Sequence, residues 1–84
     1  MSDLGFFNPC KSLEINKDFV RAYYRAKLLG FQDEEISLDL AKYVKDLESS
    51  PDYTGTLISI FNDAVDSTDS DTTIDDIFYD VYGW

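Results

Sequence analysis

Between Ile36 and Leu47 five large apolar residues, Ile36, Leu40, Tyr43, Val44 and Leu47, fall at i, i+4, i+7, i+8 and i+11. A helix places residues with that spacing on one face; a strand would scatter them over two. Phe31 and Ile36 are placed as a hydrophobic staple across a cap at Gln32. Asp33, Glu34 and Glu35 crowd the first turn and Lys42 and Lys45 come later, the order that a helix dipole favours.

Three further segments read the same way. Asn16 is placed to cap a helix that Gly30 ends, with Phe19, Tyr23 and Ala26 along one face and Lys17, Arg21 and Arg25 along another. Ser50 and Pro51 open a segment whose face is Tyr53, Leu57, Ile60, Phe61 and Ala64, with a start weakened by Thr54, Gly55 and Thr56. Thr73 and Asp76 make a shortened capping box ahead of Ile74, Ile77, Phe78, Val81 and Tyr82. The expected fold is an all-α, single-domain bundle of three or four short helices. They cover about residues 17–29, 33–48, 51–65 and 74–82, with an acidic loop at 66–72. The second and third should supply the core through Leu40, Tyr43, Val44, Leu47, Leu57, Ile60 and Phe61.

Eighty-four residues suit one small core, and 44% hydrophobic residues are enough to build it despite a net charge of −10. That charge is unevenly placed. Residues 1–45 balance seven acids against seven bases, whereas residues 46–84 hold ten acids and no base. Direct binding of DNA or RNA is not expected of such a chain, because its excess charge repels phosphate. No apolar run nears the ~20 residues that span a bilayer, so no membrane contact is expected. The N-terminal stretch has no basic start followed by an apolar run, and the single cysteine, Cys10, cannot close an internal disulfide. Both point to a cytoplasmic protein. With no histidine, no glycine-rich phosphate loop and no His/Cys cluster, neither catalysis nor a cofactor is expected.

Several short stretches resemble known motifs. Ala26, Gly30 and Ile36 in "RAKLLGFQDEEI" have the spacing of the DNA-binding helix-turn-helix families. The helix that would enter the groove begins with three acids, so packing of a helix–Gly–helix corner is the favoured reading. Leu29-Gly30-Phe31 is similar to the loop of ubiquitin-associated domains, although the following helix is too long for that family. "DSTDSDTTIDD" resembles an EF-hand loop only in composition: with Ile74 at the eighth position, Ser67, Thr72 and Phe78 stand where the motif needs Asp, Gly and Glu. A solvated acidic loop is the favoured reading, with weak divalent-ion binding left open. Asp76-Ile77-Phe78 resembles the end of the peptides that dock on bacterial sliding clamps and of C-terminal motifs in phage transcription coactivators.

Two functions are then in play. In the first, the acidic half occupies a basic, nucleic-acid-binding site on a partner protein, with Asp52, Asp63, Asp66, Asp69, Asp71, Asp75, Asp76 and Asp80 as phosphate surrogates. In size and charge the chain is similar to the compact acidic inhibitors that phages and mobile elements encode. In the second, the C-terminal helix docks its stripe in an apolar groove of a transcription or replication protein, with Phe78, Tyr79 and Trp84 as contacts. Phe6, Phe7 and Tyr24 are further aromatic candidates, since interface anchors favour such side chains. Closure of the protein's own bundle by that stripe competes with the second reading.

Overall fold

The structure, a computed structural model, describes residues 7, 8, 10 and 12–82, with Asp80 and Tyr82 described by backbone alone. The chain is all-α. Its helices are α1 (Leu13–Leu28), α2 (Asp33–Ile36), α3 (Leu38–Glu48), α4 (Thr54–Ser67) and α5 (Ile74–Tyr82). No strand occurs among the described residues, and none of their helices is long and apolar enough to cross a membrane.

The first helix begins one turn earlier than its expected cap. Leu13 is buried, so the apolar face starts there and runs through Asn16, Val20 and Tyr23. Asn16 is not the cap, a position that Ser12 takes: it is 1% exposed inside the helix and donates its side-chain amide to the carbonyl of Asn8 (2.7 Å). Gly30 does end the helix. Its φ of +98° lies in the left-handed region, Phe31 N–H donates to the Ala26 carbonyl and Gly30 N–H to that of Lys27. These are the two bonds of a Schellman turn.

The expected helix at 33–48 is two helices. Glu35 reaches back to the Gln32 N–H (2.8 Å) and starts α2 as anticipated. One turn later Ser37 takes extended backbone angles, and its hydroxyl accepts from the Leu40 N–H (3.2 Å) to start α3 afresh. A serine able to satisfy an amide in a non-helical conformation competes with the helix it interrupts. The break leaves Leu38 64% exposed, while Leu40, Val44 and Leu47 stay in the core.

The third expected segment begins late, at Thr54. Pro51, Asp52 and Tyr53 form a turn in which Tyr53 N–H donates to the Ser50 carbonyl (3.3 Å). At its other end α4 passes the expected boundary to reach Ser67. The hydroxyls of Ser67 and Thr68 donate back to the carbonyls of Asp63 and Ala64, one turn earlier, and close the last turn of the helix. The acidic loop is correspondingly shorter than 66–72. α5 keeps its expected bounds, and the Thr73–Asp76 box is formed in both directions, at 3.2 and 3.4 Å.

The core is centred on α1 and not on the second and third segments. Phe19, Val20, Ala22, Tyr23 and Ala26 are buried, and α3, α4 and α5 all pack against this helix. Leu40, Val44, Leu47, Leu57 and Ile60 are buried as expected, but Tyr43 is half-buried and Phe61 is 39% exposed. Lys17 and Arg21 border the same surface cleft as Thr56, Ser59 and Asp63, and Arg25 donates to the Ser67 carbonyl (3.1 Å). α1 and α4 therefore lie side by side and run in the same direction, with α2 and α3 bringing the chain back between them.

Candidate interaction surface

Among the described residues, the ion pairs join Lys17, Arg21, Lys27 and Lys45 to acids of the first half of the chain. Lys17 pairs with Glu14 (3.6 Å) and Arg21 with Asp18 (3.3 Å), each within one turn of α1. Exposed pairs of this kind contribute little to stability, yet they occupy the basic stripe. Asp33 gathers more. Lys27 Nζ (3.0 Å), Lys45 Nζ (2.8 Å) and the Tyr23 hydroxyl (3.0 Å) all donate to its carboxylate, which ties α1, α2 and α3 at the Gly30 corner. The hydrogen bonds from Lys45, Lys27 and Tyr23 hold the Asp33 carboxyl far below the usual carboxylate range. Burial, together with the adjoining carboxylate, raises the Tyr23 hydroxyl well above the ordinary phenol value. Asp33, which would face the groove in a DNA-binding helix-turn-helix, is thus an internal knot.

The acids of the second half are not engaged in this way. Asp52, Asp63, Asp66, Asp69, Asp71, Asp75 and Asp76 are exposed, and none of them is in an ion pair among the described residues. Asp76 alone has a local task, the α5 cap. The loop between α4 and α5 is folded by Thr72, whose N–H donates to the Asp69 carbonyl (2.9 Å) and whose hydroxyl accepts from the Asp69 N–H (3.3 Å). Among the described residues no three acidic or other ligating side chains converge to hold a metal ion.

The other nominated residues divide sharply. Phe78 is 8% exposed and Ile77 fully buried, so the α5 stripe is spent on the protein's own core, with Ile74 and Val81 half-buried beside them. Tyr79, on the opposite face, is 55% exposed and available. The Asp80 side chain, Trp84 and Phe6 lie outside the described residues. Phe7 packs edge-on against Tyr43 (4.9 Å) and Phe19 (5.9 Å), and Tyr24 is buried, so neither is a free contact.

One feature was missed by reasoning from the sequence. Tyr24, Glu48, Thr54, Leu57, Ile58 and Phe61 line an open cleft of about 290 Å³ between α1, α3 and α4. Phe61 stands edge-on to Tyr24 (5.4 Å), whose hydroxyl donates to Glu48 (3.1 Å). Burial and the Glu48 carboxylate raise the Tyr24 hydroxyl far above its ordinary value, so it stays a donor. The signal was present: α4 carries Leu57, Ile58, Ile60, Phe61, Ala64 and Val65, an apolar arc wider than one face. Comparison with protein-family models, with curated proteins and with solved structures returned no match.

Proposed function

We propose that this chain is a small acidic regulator or inhibitor that occupies a basic, nucleic-acid-binding site on a partner protein. The observation that carries the reading is the exposed, unpaired state of Asp52, Asp63, Asp66, Asp69, Asp71 and Asp75, set against Lys17, Arg21, Lys27 and Lys45, which Glu14, Asp18 and Asp33 engage. Charge held on folded elements, at helical spacings of roughly 5–6 Å between i, i+3 neighbours such as Asp63 and Asp66, presents a fixed anionic pattern. A basic cleft attracts such a pattern over long range and releases bound ions on contact, as it does with nucleic acid. The competing reading, an adaptor that inserts its C-terminal helix in an apolar groove, loses support from the burial of Ile77 and Phe78.

The test replaces Asp66, Asp69, Asp71 and Asp75 together with asparagine. Size and polarity are kept, four charges are lost, and the Asp76 cap is untouched. Proteins captured from the native host by the wild-type chain should bind the variant more weakly, by about 1 kcal/mol or more for each contact desolvated in the complex. Added duplex DNA should displace the wild-type chain from the same partner, and affinity should fall steeply with salt. A partner that binds both chains equally, and ignores DNA and salt, refutes the proposal.

A further inference from the structure

Where α4 leaves its preceding turn, the cleft described above opens into an exposed apolar seam. Ile58, Phe61 and Val65 are 58%, 39% and 47% exposed, and their i, i+3, i+7 spacing puts them on one edge of the helix. At 1.5 Å per residue the seam is ~10 Å long, or about two helical turns. Its floor is set, because Phe61 rests edge-on against Tyr24 and Tyr24 is held by Glu48.

The charge around the seam decides what kind of occupant fits it. Glu48 lines the cleft, Asp52 lies in the turn just before α4, and residues 46–84 contribute no base. A second copy of this chain would bring another net charge of −10 to the contact; four of its seven bases, Lys17, Arg21, Lys27 and Lys45, are engaged by its own acids, and exposed Lys42 is a single cation against that excess. Repulsion between copies works against that pairing. A foreign segment with large apolar side chains and flanking lysines or arginines meets both properties of the surface.

We propose that the Tyr24–Ile58–Phe61 groove is the anchor point for a basic amphipathic helix of the partner protein, its apolar edge laid along α4 and its cations facing Glu48 and Asp52. Helix-in-groove recognition of this type fixes register through apolar anchors, while charge speeds encounter. The inference deepens the acidic-inhibitor reading and rests on it for the basic character of the partner.

Ile58→Glu separates the two. It destroys the apolar seam at an exposed position and adds one negative charge. The full chain and the variant are titrated with a synthetic 14-residue amphipathic Leu/Lys helix and with oligolysine, with backbone amides followed by nuclear magnetic resonance. The Leu/Lys peptide should shift the amides of Leu57 to Phe61 and bind Ile58→Glu at least tenfold more weakly, despite the added charge. Equal or tighter binding to Ile58→Glu, or shifts that avoid α4, overturns the groove and leaves the acidic surface as the binding element. Failure of oligolysine to bind even at low salt counts against the acidic reading and leaves the groove result standing by itself. Sedimentation showing a dimer that Ile58→Glu dissolves would overturn the proposal in favour of a second copy. Val65→Glu is the second variant should Ile58→Glu lose its helical signal, with the same outcomes.

Discussion

Replacing Ile77 with alanine asks whether α5 belongs to the bundle or to a partner. Ile77 is fully buried where α5 packs on α1. The change removes three carbon atoms; at about 0.8 kcal/mol for each buried methylene the transfer cost alone is ~2.4 kcal/mol. A cavity that neighbouring helices fail to close adds to this, giving a total of about 2–5 kcal/mol. A chain of this length is expected to have a stability of only about 4–13 kcal/mol, so the variant should be visibly weakened. Urea unfolding followed by circular dichroism measures it, with an unchanged slope showing that the folded and unfolded states keep their exposure. Tyr79→Ala, two positions on and 55% exposed, is the control, expected within about 0.5 kcal/mol of wild type. If Ile77→Ala also costs less than about 0.5 kcal/mol, the α5 stripe is not covered by α1 and the case for a docking helix returns.

Gly30→Ala should destabilise by about 1 kcal/mol or more, measured by the same unfolding curve, because φ at +98° strains any side chain although nothing stands within 4 Å of the added carbon. Asn16→Ala should cost about 1–3 kcal/mol, since it leaves a buried site without the donor to the Asn8 carbonyl; an unchanged midpoint would refute this. Asp33 sets an acid limb: its carboxyl takes a proton near pH 4 in the unfolded chain but only at much lower pH when folded, so its stabilisation is complete above that value and is lost as pH falls towards the folded one. Asp33→Asn should lower stability at neutral pH and flatten that limb, and a pH profile identical to wild type would show that the knot contributes nothing.

What could be read before folding was local. The Gly30 turn, the Thr73–Asp76 cap and the Leu40–Val44–Leu47 stripe each depend on residues within a turn or two of one another, and each formed as expected. The break at Ser37 was hidden because the apolar spacing continues across it; a serine that starts a new helix leaves the period almost unchanged. Asn16 looked like a cap because the value of its amide lies in reaching Asn8, a contact that no helical pattern encodes. The candidate surface divides along the same line. Exposed acids were legible from charge alone, since a half-chain without bases has few ways to bury or pair them. The groove was not, because the apolar arc of α4 does not say which of its edges α1 will cover. Phe61 was assigned to the core on periodicity and sits instead on the uncovered edge.

The arrangement of α1 carries a consequence for how the chain must be put together. α3 covers part of it, but most of its packing is against α4 and α5, which lie some thirty to sixty positions further along. An early helix that must bury Phe19, Val20, Tyr23 and Tyr24 therefore keeps part of that face in water until the late segments arrive. Residues 13–48 have no complete shell of their own, and a chain stopped before Ile74 would keep uncovered the side of α1 that α5 occupies. Assembly should be all-or-none, without a stable sub-bundle to pause in, and a nick in the 68–73 loop should be felt through the whole molecule.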